Sequence, residues 1–97
     1  MFKEYIAEAI GSFVFFSIIL TKNEPIFIAV GFLIGILIAS IASQAHLNPA
    51  ITTMAYMNGD MTGEVSVGYV ASQLVGAIMA VQWVRLMGKK DVLDKPL

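Results

Sequence analysis

Three long apolar runs dominate this sequence and leave few folds open to it. They cover about residues 5–21, 25–43 and 65–87, so each is about 17–23 residues long. A helix of about 20 apolar residues crosses the hydrocarbon core of a bilayer, which is about 30 Å thick. The runs therefore predict an all-α membrane protein with three transmembrane helices.

The composition points the same way. The chain has 97 residues, of which 58% are hydrophobic and 13% charged, whereas soluble domains carry about 25% charged residues. We expect one integral membrane domain over residues 1–97. A net charge of −1 gives no basis for nucleic-acid binding. There is no cysteine, and no acid–base pair, nucleophile or metal cluster lies at useful spacing, so we predict neither an enzyme nor a cofactor.

The segments that flank the runs fit helix ends. "TKNE" (21–24) follows the first run, and Pro25 opens the second, where proline suits a first helical turn. Glu4 and Glu8 stand where a secretory signal peptide would be basic, which argues against a signal peptide. "GKKD" (88–91) stops the third run, and we expect the tail after it to be a frayed end.

A shorter helix is predicted between the second and third runs. Asn48 can cap it, Pro49 can open it, and "NGD" (58–60) ends it, which gives a helix over about residues 49–57. A helix of that length rises only about 15 Å, half of a membrane. The segment is too apolar for a free loop and too short to span, so we predict a re-entrant half-helix.

The polar stretch "SQAHL" (43–47) precedes that half-helix. Irregular backbone inside a bilayer persists only where protein buries it or where it lines a wet cavity. Its carbonyls could line a path for polar solutes, and the positive end of the half-helix, with about +0.5 elementary charge, would oppose cations. The Asn48 amide could donate two hydrogen bonds to the path. Alternatively, Asn48 only caps the helix and the loop is a surface turn; the residues alone leave both interpretations open.

Small residues recur at four-residue spacing along the long runs, a pattern that lets helix backbones approach closely in lipid. In the second run they are Gly31, Gly35, Ala39 and Ser43, and in the third Gly68, Ser72, Gly76 and Ala80. We interpret these stripes as packing surfaces.

Four motifs together resemble a known family. They are "AHLNPA" (45–50), "AEAIGSF" (7–13), "AVG" (29–31) and "ASQLVGA" (71–77). They are similar to the NPA box, the first-helix AE-x-x-GT-F, the second-helix A-x-G and the third-helix AQ-x-x-GA of aquaporins and aquaglyceroporins, the major intrinsic protein family. The order and spacing match over about residues 5–85. The resemblance covers only the first half of a family member, so we expect half of an aquaporin-like hourglass fold.

The resemblance implies a passive channel for water and small neutral solutes such as glycerol. Family members pair two inverted halves, whose half-helices meet at the membrane midplane. Asn48 matches the asparagine that holds a passing water, and Pro49 and Ala50 match the residues that pack the two tips together. The pore-lining loop would consist of Gln44, Ala45, His46 and Leu47.

Three further polar residues have two possible roles each. Glu8 matches the buried glutamate that holds the re-entrant loop, although it could also be an interfacial residue near a helix end. Gln73 resembles a supporting residue of the third helix, or makes an ordinary hydrogen bond between helices. For His46 we expect a hydrogen bond that braces the loop, rather than contact with a solute.

Two positions depart from the family pattern. Ile51 follows Ala50, whereas the family's second half has an arginine after its NPA box. The aromatic constriction residue of the second helix falls at Ile28 by a gapless count, or at Val30 if "AVG" is aligned. Both are aliphatic, which predicts a wider and more apolar constriction. Strict selectivity for water is then not expected, and glycerol-like or other small neutral solutes could also pass.

A half-channel needs a partner, and we expect a second copy in inverted orientation, forming a homodimeric pore. A different partner chain would also complete it, and a non-conducting structural membrane protein is the third possibility. One side of the membrane receives Lys3, and the other receives Lys22, Arg85, Lys89, Lys90 and Lys95. This bias favours a cytoplasmic C-terminus, whereas the family's first half has its N-terminus inside. The conflict is compatible with dual topology, or with a partner half that sets the orientation.

Overall fold

The chain folds into four α-helices. A computed structural model describes residues 2–88, and its helices are α1 (Phe2–Thr21), α2 (Pro25–Ala39), α3 (Pro49–Met57) and α4 (Gly63–Leu86). No strand occurs within residues 2–88, and the predicted all-α class is confirmed. The tail that we expected to fray lies outside the described residues.

Two helices have the length and composition to cross a membrane. They are α1, with 20 residues, and α4, with 24 residues. The helix α2 is also apolar but has 15 residues, which falls short of a full span by the same measure. At its N-terminus α3 is capped by the predicted residue, since Asn48 Oδ1 accepts a hydrogen bond from Ala50 N–H. The helix α4 begins two residues before the predicted start and is capped by Thr62, whose Oγ1 accepts a hydrogen bond from Val65 N–H.

The helix α2 ends before the predicted boundary at residue 43. Its last regular residue is Ala39, and the chain continues to Ser43 in hydrogen-bonded turns. Ser40 N–H donates to Ile36 O at 2.8 Å, and Ser43 N–H donates to Ala39 O at 2.9 Å. Beyond these turns the N–H groups of Gln44, His46 and Leu47 leave the helical pattern and donate to side chains of α1 and α4.

The helix α1 lies between α2 and α4, and α3 packs on α4. The ring of Tyr5 meets that of Tyr69 with centroids 6.3 Å apart, and Phe13 meets Trp83 at 6.4 Å. Residue numbers rise together along these two contacts, so α1 and α4 run in the same direction. The helix α2 packs on the other side of α1, antiparallel to it, and returns the chain to the side where α1 begins.

Glycines allow the backbones of α1 and α2 to touch. A Cβ atom added at Gly35 would lie 2.8 Å from the carbonyl oxygen of Gly11 and 2.7 Å from a methyl of Leu47. Gly31, Gly35 and Ala39 are all buried on this face of α2. The predicted small-residue stripe is therefore the contact surface between α1 and α2, with the side chain of Leu47 inserted into it.

The closeness of this contact makes Gly35→Ala a sharp test of the packing. The backbone of Gly11 cannot move aside as a flexible side chain could, so we expect the variant to lose about 1–3 kcal/mol of stability through overpacking. Unfolding in detergent, followed by circular dichroism, measures the loss. The control is Gly63→Ala, where the added Cβ would meet a Tyr56 ring atom at 3.5 Å, an ordinary contact distance. Equal stability of the two variants would contradict the packing described here.

Candidate functional site

The site is built around the carboxylate of Glu8, which is fully buried on α1. Its Oε2 accepts hydrogen bonds from Ser43 Oγ at 2.8 Å and from His46 N–H at 3.1 Å. Its Oε1 accepts from Leu47 N–H at 2.9 Å and from Gln73 Nε2 at 3.1 Å. A carboxylate has about four lone-pair positions, and all are used here, so the costly burial of this polar group is compensated by hydrogen bonds. The Glu8 side chain is thus enclosed by protein and bound to the loop.

The loop between α2 and α3 directs four successive N–H groups into the protein. The N–H groups of His46 and Leu47 reach Glu8, as described above. Gln44 N–H donates to the Tyr69 hydroxyl at 3.0 Å, and Ala45 N–H donates to Ser43 Oγ at 2.9 Å. Every backbone donor of residues 44–47 is therefore satisfied by a side chain.

The carbonyls of the same peptide units point the other way. All peptide bonds among the described residues are trans, and in a trans peptide the C=O is antiparallel to the N–H. The carbonyl oxygens of residues 43–46 consequently face away from the side chains that hold the loop. No donor within residues 2–88 bonds to any of these four oxygens. They form a row of free acceptors on one side of the loop.

Two loop residues adopt left-handed backbone conformations to achieve this arrangement. Ala45 has φ 56° and Leu47 has φ 58°, values that are uncommon for residues with a Cβ atom. Such strain persists where surrounding contacts determine the backbone conformation. Here those contacts are the Glu8 hydrogen bonds and the buried side chain of Leu47, which is 1% exposed.

Asn48 uses one end of its amide in the fold and leaves the other free. Its Oδ1 accepts the capping hydrogen bond from Ala50 N–H at 2.8 Å, whereas its Nδ2 donates to no other residue in the described part of the chain. The side chain is exposed and borders an open groove of about 470 Å³. The other residues that line the groove are Phe15, Pro25, Ile28, Ala29 and Phe32. One side chain on the groove can thus cap α3 and keep an amide donor that has no partner within residues 2–88.

A second layer of hydrogen bonds supports the loop. Gln73 Nε2 also donates to Thr52 Oγ1 at 3.0 Å, and Thr52 Oγ1 lies 2.9 Å from His46 Nδ1. The ring of His46 is 6% exposed and packs on the ring of Tyr69, with centroids 5.0 Å apart. The imidazole therefore lies against α3 and α4, away from the open groove, while Gln73 joins α4 to both α1 and α3.

The remaining residues singled out from the sequence lie in three places. Ile28 lines the same groove as Asn48. Val30 is 43% exposed and does not line that groove. Pro49 and Ala50 are exposed at the tip of α3.

Sequence reasoning missed Thr52 and Tyr69, which are both completely buried. One signal was available for Tyr69: a tyrosine within an apolar helix needs a partner for its hydroxyl group. Thr52 follows Asn48 by one helical turn, but nothing in the pattern distinguishes it from the neighbouring Thr53. Ser43 was treated as a packing residue, whereas its hydroxyl bonds Glu8 and accepts from Ala45 N–H.

Apolar helices around a buried carboxylate that holds an irregular polar loop are typical of an all-α integral membrane protein. The sequence model of the family described as Major intrinsic protein matches residues 1–95, and the chain belongs to this family. Members of the family are channels rather than enzymes. The resemblance inferred from the four motifs is therefore confirmed.

A curated relative gives a more specific comparison. The Glycerol uptake facilitator protein-like 6 of Lactiplantibacillus plantarum is 29% identical to the chain over 87 residues. The match covers 80% of this chain and 40% of the relative, so the chain spans less than half the length of that protein. No solved structure matches the chain.

The Glu8 network predicts the effect of Glu8→Gln. A glutamine has one acceptor oxygen, and its NH₂ group would face donors that now bond a carboxylate oxygen. Leaving a buried donor unsatisfied costs about 1–3 kcal/mol, and because two donors meet each oxygen, we expect a loss of roughly 2–4 kcal/mol. Thermal unfolding in detergent measures the stability, and hydrogen exchange of the amides in residues 44–47 measures the order of the loop.

The matched control for this variant is Glu4→Gln, one turn earlier on α1. Glu4 is partly exposed and makes no side-chain hydrogen bond within residues 2–88. We expect the control to unfold like the wild type. If both variants had the same stability and the same exchange rates, Glu8 would not hold the loop.

Proposed function

We propose that the chain forms one half of a passive membrane channel for water and small neutral solutes such as glycerol. In this proposal α1, α2 and α4 cross the membrane and α3 is a re-entrant half-helix, which together make half of an hourglass. The 15 residues of α2 rise about 22 Å, and the turns to Ser43 extend its path toward a full crossing. Asn48, the cap of the half-helix, would lie near the midplane.

The row of free carbonyls in residues 43–46 carries this proposal. A water molecule or a hydroxyl group that enters the membrane loses its hydrogen bonds to bulk water, and free acceptors replace them. The Asn48 Nδ2 group, adjacent to the row, supplies a donor of the opposite type. The N-terminus of α3 adds partial positive charge at the same point, which opposes cations.

The chemistry of the two sides of the groove favours a solute that has both hydroxyl groups and C–H surfaces. Asn48 provides a polar side, whereas α1 and α2 provide Phe15, Ile28 and Phe32. A polyol can direct hydroxyl groups to the polar side and carbon atoms to the apolar side. The name of the relative, a glycerol uptake facilitator-like protein, supports including glycerol among the solutes.

The second wall of the pore is proposed to be a second copy of this chain in inverted orientation. The groove is open on one side, and Pro49 and Ala50 are exposed at the tip of α3, where the tip of a partner half-helix would pack. Inversion brings two such tips together head to head, as in the inverted repeats of membrane transporters. A different chain or segment of similar chemistry would fill the same place.

Asn48→Ser tests conduction directly. Serine retains a capping oxygen but lacks the amide donor, so α3 should remain intact. We expect wild-type proteoliposomes to pass water faster than empty liposomes, with a low activation energy, and to pass glycerol. We expect Asn48→Ser to reduce the flux about fivefold, because one hydrogen bond worth about 1 kcal/mol is lost. Stopped-flow light scattering measures both fluxes.

Asn58→Ser is the control. Asn58 lies at the other end of the same helix, and within residues 2–88 its side chain bonds only the exposed side chain of Asp60. This variant should conduct like the wild type. Flux no greater than that of empty liposomes, from folded wild-type protein, would reject the homomeric channel. That outcome would leave a half that needs a different partner, or a non-conducting structural protein.

Orientation can be measured because the chain contains no cysteine. Asn23→Cys would put a thiol in the exposed turn between α1 and α2, and Asp60→Cys would put one in the turn between α3 and α4, on the opposite side. An inverted pair predicts that a membrane-impermeant thiol reagent labels about half of each variant from outside sealed vesicles. Complete labelling of one variant and none of the other would mean a single orientation, and would favour a different partner half.

A further inference from the structure

The groove beside Asn48 contains an aromatic pair whose role no motif assigns. Phe15 on α1 and Phe32 on α2 both line the groove, with ring centroids 5.0 Å apart and ring planes tilted by 48°. We propose that Phe32, held in place by Phe15, forms an apolar constriction at the level of Asn48 and determines which solutes pass. This inference rests on the proposed function and assigns its selectivity to particular residues.

The helical phase of α2 puts Phe32 on the groove. Ile28 and Phe32 are four residues apart and so share one face of the helix. Gly31 and Gly35 share the adjacent face, which is packed on α1: a Cβ added at Gly31 would meet Ile18 at 2.9 Å. Val30 consequently points elsewhere, and of the residues in this stretch Ile28 and Phe32 line the groove with Ala29.

Phe32 is also at the depth of Asn48. One turn further along α2, Gly35 lies against Leu47, since an added Cβ there would be 2.7 Å from a Leu47 methyl. Asn48 directly follows Leu47, so the inserted leucine fixes the amide beside the aromatic pair. Ile28 lies one turn away in the opposite direction, about 6 Å closer to the membrane surface.

The aromatic ring has little freedom to move away from a solute. Phe15 packs on one side of it, and Phe15 in turn packs on Phe16 with centroids 5.3 Å apart. The close approach of α1 and α2 at Gly35 fixes the helices that carry both rings, since a Cβ at Gly35 would also meet Phe15 Cβ at 3.2 Å. The space between the Phe32 ring and the Asn48 amide is therefore set by the size of the ring.

This geometry gives the constriction a specific chemistry. A solute that bonds the Asn48 amide must present its other side to an aromatic surface. Water fits because of its size, and a polyol fits because its C–H groups can contact the ring. Larger or wholly polar solutes are rejected, as they would clash or lose hydrogen bonds that the ring cannot replace. Ile28, at the position compared with the family's constriction, is aliphatic and presents no aromatic surface to a solute.

The first experiment measures whether water reaches residue 32. Phe32→Cys and Leu33→Cys each introduce one thiol into the cysteine-free full-length chain. Leu33 is the matched control: it is the next residue on α2, is 55% exposed and does not line the groove. We expect a small water-soluble methanethiosulfonate reagent to modify Phe32→Cys at least about tenfold faster in proteoliposomes, because the reactive thiolate forms in contact with water rather than with lipid. Equal, slow rates would overturn the proposal.

The second experiment measures selectivity. We expect Phe32→Ala to raise the ratio of glycerol to water permeability by about tenfold, the lower end of the discrimination that an apolar pocket achieves by size. Phe32→Trp should lower the ratio, and Leu33→Ala should leave it unchanged. If Phe32→Ala fails to assemble, Phe32→Leu replaces it and should change the ratio in the same direction.

The outcomes separate this inference from the proposed function. Wild-type protein that conducts, with a ratio unaffected by either Phe32→Leu or Phe32→Trp, would refute the aromatic constriction and leave the channel in place. Wild-type protein that conducts nothing would refute the channel formed by this chain alone. In that case the labelling rates would still decide whether Phe32 faces water.

Discussion

The hydrogen bonds of the Glu8 carboxylate are the interaction on which the rest of the site depends. An irregular loop among apolar helices must satisfy its backbone donors internally, because lipid offers no partners. Glu8 binds the N–H groups of His46 and Leu47 and receives the Gln73 amide from α4. One side chain thus joins α1, the loop and α4. Because each peptide unit is planar, fixing its N–H inward also fixes its C=O outward, and the row of carbonyl acceptors is a direct consequence of this anchoring.

Close helix packing determines where that loop lies. The backbones of α1 and α2 meet at Gly11 and Gly35, and the Leu47 side chain enters the same contact. Larger residues at either glycine would push the helices apart and remove the pocket for the leucine. The position of Asn48 relative to Phe15 and Phe32 therefore depends on these two residues being glycines, which have no side chain. The close contact between α1 and α2 thus determines both the packing of these helices and the geometry of the site.

The sequence predicted the four helices well, since hydropathy and the Asn48–Pro49 start signal are local properties. It could not specify the end of α2, which depends on hydrogen bonds made by the following turns to distant residues. The same limit applies to Thr52 and Tyr69, whose roles arise only when α3 packs on α4. Counting along the chain left Ile28 and Val30 as equal candidates, because the phase of α2 is determined by which face packs on α1. Phe32 was not considered, although it shares the groove with Ile28.

The polar groups of the site divide into those that bond within the described residues and those that have no partner there. Every backbone donor of the loop, the Glu8 carboxylate and the capping oxygen of Asn48 bond within residues 2–88. The carbonyls of residues 43–46 and the Asn48 amide nitrogen make no such bond, and Pro49 and Ala50 at the tip of α3 are exposed. A partner would therefore not be needed to hold the loop; its contribution would be apolar packing against the tip and a second wall for the groove. In the proposed channel, an inverted copy of the same half or a separate chain would supply that surface.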